Sequence, residues 1–183
     1  GTKDLDSLFE EMVKDTKDEN TEVHVTSLKD DNGKFSHIEF RSYEAIATAG
    51  IINATVCANK EGFDALVIGC FYDTALHDAR EVSGDMVVVA PCHSSIEIAL
   101  SLSNNFGIIV GRRKWVNQMK SAVHEYGYGE KLTGFYDVGL GVDDFQADHQ
   151  KTTNLLIDAS KHAVEKDYAE SIILGCTAEF GFY

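Results

Sequence analysis

The sequence predicts an α/β protein built on parallel sheets that helices cover on both faces. Short, continuous apolar segments alternate with longer helical stretches along most of the chain. Parallel strands need crossover connections, usually helices, and those helices bury both faces of the sheet. Ligands bind such sheets beyond the carboxyl ends of the strands. Because Cys70 and Cys176 each follow an apolar segment, we expect a site where those two strands end.

The first part of the chain predicts two helices with a strand between them. Residues 5–17 place apolar side chains at three- and four-residue steps between charged ones, which is the pattern of an amphipathic helix. Residues 21–28 alternate apolar and polar residues with the β-branched content of a strand. A polar turn is predicted at 30–34, and residues 42–60 have the small and apolar content of a long packed helix.

The rest of the chain repeats strands and helices in turn. Strands are predicted for the segments LVIG at 66–69, MVVVA at 86–90, FGIIVG at 106–111, KLTGFYDV at 131–138 and SIILGC at 171–176. Helices are predicted near 94–103, at 114–126 and at about 148–166. This order of strand and helix is the one that builds a parallel sheet.

Composition narrows the class of protein. The chain has 183 residues, 44% of them hydrophobic, which is enough to bury a core in one domain or two small ones. With 16 Lys and Arg against 30 Asp and Glu, the net charge is −14, which argues against nucleic acid and membrane partners because both attract cationic surfaces. No apolar run reaches the roughly 18 residues of a membrane span, and the first residues lack a signal-peptide pattern. A cytoplasmic location is therefore expected.

The four cysteines differ in what they predict. They form no C-x-x-C pair and no short Cys/His array, so neither a metal site nor a dithiol redox motif is expected. Cys57, within the long helix, and Cys92, just after the only proline, are interpreted as buried small hydrophobes. Cys70 and Cys176 each follow a glycine near a strand-to-helix turn, where backbone amides and the helix dipole favour a thiolate.

The two Gly-Cys segments repeat one pattern. LVIGCFYD, residues 66–73, aligns with IILGCTAE, residues 172–179, through aliphatic residues, then Gly-Cys, then an acid three places after the cysteine. The repeat predicts two related halves, 1–91 and 92–183, each of which presents its cysteine toward a shared cleft.

Two thiols that face one cleft suit the inversion of a stereocentre next to a carboxylate. A thiolate removes the proton from one face of the carbon, and a thiol delivers a proton to the opposite face. The unperturbed thiol pKa of about 8.5 leaves both forms accessible with modest tuning. Candidates for substrate binding are the amides after Cys70 and Cys176, the first of them from Phe71, and the Thr177 hydroxyl, because these groups can hold the charge of a carbanion.

Two acids occupy equivalent positions in the repeat. Asp73 and Glu179 are candidates for substrate binding through a substrate ammonium group, or for orienting the neighbouring cysteines. An acid in the first turn of a helix also complements the helix dipole without any function, and that alternative stays open.

The wider sequence around both cysteines carries a resemblance. The segments are GFDALVIGCFYDTALHDAREV at 62–82, SIEIALSLSNNFGIIVG at 95–111, DYAESIILGCTA at 167–178 and, more weakly, HIEFRSYEAIA at 37–47. Over most of the chain they resemble the aspartate/glutamate/hydantoin racemase superfamily, and within it hydantoin racemases most of all.

The resemblance implies two pseudo-symmetric α/β domains, each with a four-stranded parallel sheet, and a site in the cleft between them. It implies racemisation or epimerisation of a hydantoin-like compound or an amino acid by Cys70 and Cys176, without cofactor or metal. Three alternatives stay open. Related arylmalonate decarboxylases keep only the second cysteine, maleate isomerases use one cysteine as a nucleophile, and the same cleft also suits a non-catalytic small-molecule-binding module.

The chain departs from the family pattern at both ends and in its second motif. The family's first strand, which ends in Asn-Pro-Asn, is expected to be missing, and the chain is expected to stop before the last strand and helix. Ala178 separates Thr177 from Glu179, whereas amino-acid racemases have Glu directly after Thr, so the substrate stays open. The predicted partner is a small-molecule substrate, and a homo-oligomer stays open.

Overall fold

A computed structural model describes residues 3–28 and 37–182 of the chain. Helices account for much of this part, and all but the third lie close to a predicted position. They are α1 (Lys3–Thr16), α2 (Arg41–Glu61), α3 (Leu76–Val82), α4 (Pro91–Leu102), α5 (Val116–Glu125) and α6 (His149–Asp167). Short 3-10 turns cover Arg113–Trp115, Gly129–Lys131, Val142–Asp144 and Thr177–Glu179. Within the described ranges, no helix is both long and apolar enough to cross a membrane.

The strands form two parallel sheets. They are β1 (Ala65–Val67), β2 (Val87–Val89), β3 (Phe106–Val110), β4 (Leu132–Asp137) and β5 (Ser171–Leu174). β1 pairs with β2 in a two-stranded sheet, and β3 lies between β4 and β5 in a three-stranded sheet. A helix follows each of the first four strands, as parallel crossovers require. The predicted α/β class is therefore confirmed.

The sheets are smaller than the family resemblance implies. In the part of the chain that the structure describes, they have two and three strands rather than four each. The strand predicted at 21–28 is wrong, because these residues adopt no regular structure and are mostly exposed. Alternating side chains alone do not make a strand; a neighbouring strand must accept its hydrogen bonds. The turn predicted at 30–34 lies outside the described residues.

Each sheet has its own apolar core. The first core lies around the two-stranded sheet and contains Ile68, Leu76, Ala79, Met86, Val88 and Ala90. The second core is larger and includes Phe106, Ile108, Val110, Trp115, Phe145 and Ile173. Cys70 packs against both cores, so it lies where the two sheets approach each other. The boundary between the halves 1–91 and 92–183 stays a prediction, although α4 begins there, with Pro91 in its first turn.

The glycine before Cys176 allows a close approach of two strands. The Gly175 amide donates to the carbonyl oxygen of Ile109 at 2.7 Å, and a Cβ at Gly175 would lie 2.5 Å from that oxygen. Any larger residue would therefore push the end of β5 away from β3. The glycine before Cys70 has no such constraint, because a Cβ at Gly69 would meet only the ring of Phe9, at 4.0 Å.

Candidate active site

Cys70 begins a tight turn at the carboxyl end of the first sheet. Parallel pairing continues one residue beyond β1, where the Ile68 amide donates to Val89 O at 3.0 Å. The chain then folds back on itself, because the Asp73 amide donates to Cys70 O at 2.9 Å. Asp73 has a positive φ of 53°, which is uncommon for a residue with a side chain and marks a turn held by its surroundings.

The Cys70 thiol is partly buried, and the groups around it have opposite effects on its pKa. Burial is the main cause that raises its pKa to about 11, and the charges of Glu44 and Asp73 act in the same direction. The Tyr72 backbone amide and the Thr74 hydroxyl lower the pKa, because both are polar donors close to the sulfur. The free protein therefore keeps this thiol protonated near neutrality.

Cys176 caps the 3-10 turn that follows β5. The Glu179 amide donates to the Cys176 carbonyl oxygen at 3.0 Å, while Oε2 of Glu179 accepts from the Cys176 amide at 2.9 Å, so the two residues are bonded reciprocally. Burial raises the pKa of the thiol and the Glu179 charge raises it further, whereas the Ala178 amide lowers it. One backbone amide, that of Ala178, thus favours a thiolate at Cys176, in surroundings that otherwise disfavour one.

The fold brings the two cysteine segments into contact. The Thr177 hydroxyl, directly after Cys176, donates to the carbonyl oxygen of Gly69, directly before Cys70, at 3.2 Å. The two cysteines are near enough that a charge on Cys70 raises the pKa of Cys176. Tyr72 lies beside both, because the charge of each cysteine raises the pKa of its phenol, although burial is the main cause.

The other predicted site residues are mostly buried. The Phe71 side chain packs in the second core, so its backbone is the part of the residue that suits substrate binding. Glu179 is only 1% exposed, and its Oε1 has no hydrogen-bond partner within the described part of the chain. Burial raises the pKa of this carboxyl to about 8, and the hydrogen bond from the Cys176 amide lowers it only in part.

Asp73 holds the start of a helix rather than facing a cleft. Its carboxylate accepts from the backbone amides of Cys92 and His93, each at 2.8 Å, at the first turn of α4. The Tyr126 hydroxyl donates to the same carboxylate at 2.8 Å. With these partners and 5% exposure, Asp73 positions the turn after Cys70, and a substrate ammonium group has little access to it.

The sequence analysis did not single out Glu39, although it lies beside the cysteines. Its carboxylate is 7% exposed and accepts from Arg112 Nη1 at 3.3 Å and from the Val142 amide at 3.1 Å. The Tyr72 hydroxyl donates to its backbone carbonyl at 3.0 Å. The charge of Glu39 raises the pKa of Cys176, which places it within electrostatic reach of the thiol. Its signal in the sequence was the weak resemblance at 37–47.

Comparisons with known proteins identify the family of this chain. The family model described as Asp/Glu/Hydantoin racemase matches residues 2–179. The chain belongs to the Asp/Glu/hydantoin racemase family. The resemblance inferred from the sequence is therefore confirmed.

Individual members of this family support the hydantoin-racemase likeness. The chain is 34% identical over 139 residues to a hydantoin racemase of Pseudomonas sp. (strain NS671). This match covers 75% of this chain and 55% of the relative. The chain is also 31% identical over 139 residues to a hydantoin racemase of Rhizobium meliloti. This match covers 76% of this chain and 57% of the relative. The chain thus spans little more than half the length of these curated relatives.

Solved structures of racemases share the fold. The crystal structure of allantoin racemase from Pseudomonas fluorescens matches 98% of this chain and 74% of that one, with a TM-score of 0.87 at 17% identity. Allantoin racemase from Klebsiella pneumoniae matches 78% of this chain and 58% of that one, with a TM-score of 0.67 at 23% identity. At these identities the likeness supports the fold alone.

Proposed function

We propose that the protein racemises or epimerises a small amino-acid derivative, hydantoin-like or an amino acid, by proton transfer between Cys70, Cys176 and one carbon of the substrate. No cofactor takes part in this proposal. The observation that carries it is the contact between the two Gly-Cys segments, made by Thr177 and Gly69 across the two sheets. One backbone amide also lowers the pKa of each thiol, that of Tyr72 for Cys70 and that of Ala178 for Cys176.

The proposed reaction moves one proton in and one proton out. A thiolate at one cysteine takes the proton of the stereocentre and becomes a thiol, which leaves a carbanion on the substrate. The other cysteine then gives its thiol proton to the opposite face of that carbon and becomes a thiolate. In the free protein, burial raises the pKa of both thiols, so that both are protonated near neutrality before a substrate binds.

Amides and hydroxyls of the two turns are proposed to hold the carbanion. The backbone amide of Phe71 and the backbone amide and hydroxyl of Thr177 follow the two cysteines directly. Neutral donors of this kind stabilise, by hydrogen bonds, the negative charge that develops on the substrate during the reaction. A change of side chain at Phe71 is therefore expected to affect packing more than chemistry.

The test is deuterium exchange in D₂O on the full-length protein with hydantoins, allantoin and amino acids as substrates. A racemase introduces deuterium at the stereocentre of a turned-over enantiomer while optical rotation decays. Cys70→Ser and Cys176→Ser should each reduce racemisation by at least about a hundredfold, which is the low end of the range for loss of an acid or base catalyst. Cys57→Ser is the control, because Cys57 is exposed on α2 and is not buried as the sequence predicted.

The same experiment separates the alternatives. If the wild type binds a tested compound but shows neither deuterium exchange nor loss of optical rotation, the protein is a small-molecule-binding module rather than a racemase. A covalent adduct on one cysteine, seen by mass spectrometry of the intact protein, would indicate nucleophilic chemistry. Full racemisation in both serine variants would remove the cysteines from the mechanism.

A further inference from the structure

Thr74 is a buried hydroxyl in the turn that begins at Cys70. Its side chain is 0% exposed, and its Oγ1 forms no hydrogen bond within the described residues. A buried hydroxyl without a partner lowers the stability of the folded state, because the group has lost its hydrogen bonds to water. Such a group needs an explanation, and in this structure the group that it faces is the Cys70 thiol.

The turn explains why the hydroxyl points at sulfur. The Asp73 amide donates to Cys70 O, and the Leu76 amide donates to Asp73 O at 3.0 Å, so the backbone wraps around Cys70 and carries Thr74 back toward it. The hydroxyl lies outside the geometry of a hydrogen bond to the neutral thiol. It is nevertheless close enough to keep the pKa of Cys70 below the value that burial alone would produce.

We propose that the Thr74 hydroxyl is a positioning donor that becomes satisfied only when Cys70 is a thiolate. This inference rests on the proposed function, in which Cys70 acts as a base. A thiolate accepts hydrogen bonds more strongly than a thiol does, since bonds to a charged group are roughly twice as strong as those between neutral groups. The free protein thus holds in place a donor that stabilises the Cys70 thiolate. The Tyr72 amide acts in the same direction.

The test measures the ionisation of Cys70 directly and needs no substrate. The rate of alkylation of each cysteine by iodoacetamide is followed between about pH 7 and pH 11 by peptide mass spectrometry, because only the thiolate reacts. The variants are Thr74→Val, which keeps the shape and removes the hydroxyl, and Thr74→Ser, which keeps the hydroxyl. Thr74→Val should slow Cys70 alkylation about tenfold at a fixed pH below the pKa, whereas Thr74→Ser should stay within about threefold of the wild type.

The other ionisable groups around Cys70 are the same in all of these proteins. They are Tyr72 and Asp73 on its own turn, Glu44 from α2 and Cys176 from the second sheet. The exposed Cys57 is the internal standard of each reaction. Thr55→Val is the matched control, because Thr55 is also 0% exposed but its hydroxyl already donates to Ile51 O at 2.9 Å.

The free energy of unfolding is a second readout. It distinguishes the proposed role of Thr74 from that of a threonine that only stabilises the fold. Thr74→Val removes an unpaired hydroxyl and should leave the free energy of unfolding unchanged or raised, whereas Thr55→Val breaks a hydrogen bond and should lower it. An unchanged Cys70 profile in Thr74→Val overturns the inference, and so does an equal loss of reactivity in Thr74→Ser. Because alkylation does not depend on turnover, either result leaves the racemase proposal to its own test.

Discussion

Glu179 shows how the environment of one residue changes its chemistry. Its carboxyl group lies in the interior with one oxygen on the Cys176 amide and the other without a partner in the described part of the chain. Burial raises its pKa to about 8, so it holds a proton near neutrality that an exposed glutamate would have lost. Loss of that proton at higher pH adds the negative charge that raises the pKa of Cys176.

We expect Glu179→Gln to weaken the pH dependence of stability. Between the ordinary carboxyl pKa of about 4.3 and the raised value of about 8, the folded protein holds a proton that the unfolded chain has lost. The free energy of unfolding therefore falls as pH rises through that window. From this group the wild type should lose more than about 1 kcal/mol between about pH 5 and pH 8.5, and the variant should not. Urea unfolding at both pH values measures the difference.

Glu165→Gln is the matched control for this measurement. Glu165 is exposed on α6, so its substitution should leave the pH dependence of the wild type intact. If Glu179→Gln and Glu165→Gln lose the same stability between the two pH values, then Glu179 is not the group that titrates.

At the scale of elements, the contact between the Cys70 turn and α4 links the two halves of the chain. Asp73 accepts from the first amides of α4 as an N-cap side chain does, although it lies far from that helix in sequence. The residue before α4, Ala90, has no side chain that could cap it. The same carboxylate thus satisfies helix amides and fixes the turn that carries Cys70.

We expect Asp73→Ala to lower both stability and activity. Loss of the cap should lower the free energy of unfolding by about 1–2 kcal/mol, as for other N-cap residues. The turn that presents Cys70 should also lose its anchor, so racemisation of a substrate found in the exchange experiment should fall at least about tenfold. Denaturant unfolding and the exchange assay measure the two effects.

Asp148→Ala separates the cap from the site. Asp148 caps α6 by accepting from the Lys151 amide at 3.0 Å, and we expect its loss to lower stability by about 1 kcal/mol without affecting turnover. If Asp73→Ala behaves in the same way as Asp148→Ala, then the Asp73 contact stabilises the fold only.

At the scale of the whole molecule, Glu39 joins segments from different parts of the chain beside the cysteines. Arg112 follows β3, and Val142 lies in a 3-10 turn after β4, so both belong to the half with the three-stranded sheet. Both donate to the Glu39 carboxylate, which precedes α2. A buried carboxylate needs such partners, because leaving it unpaired is costlier than removing the pair.

We expect Arg112→Met to destabilise the protein by about 1–3 kcal/mol, since Glu39 would keep its charge with fewer donors. The value lies below that of a fully buried pair because Arg112 itself is 44% exposed in its side chain. Glu39→Gln combined with Arg112→Met should recover part of the loss, and a double-mutant cycle measures the coupling.

The neighbouring Arg113→Met is the control for this cycle. Arg113 is exposed at the start of its 3-10 turn, so its loss should change the free energy of unfolding by less than about 0.5 kcal/mol. Strict additivity of the Glu39 and Arg112 substitutions would mean that the ion pair does not couple the two segments.

The sequence predictions succeeded where the pattern is local and failed where it depends on residues that are distant in sequence. The five strands from 65 onward and five of the six helices were predicted because their periodicity is carried by consecutive residues, whereas the short helix α3 was not among the predicted helices. The strand at 21–28 failed because a strand needs a partner that local alternation does not specify. Glu39 and Thr74 were missed for the same reason, since their surroundings come from residues that are distant in sequence or depend on the path of a turn.

By itself, the sequence determined the α/β class and the family and led to the proposal of the two cysteines, because apolar runs and the Gly-Cys repeat are local patterns. Only the tertiary structure decided that Asp73 caps α4, that Glu179 is buried and that Thr74 faces Cys70. The physical reason is that desolvation and hydrogen bonding depend on which groups surround a side chain in space. Those groups are brought together only when the two sheets pack.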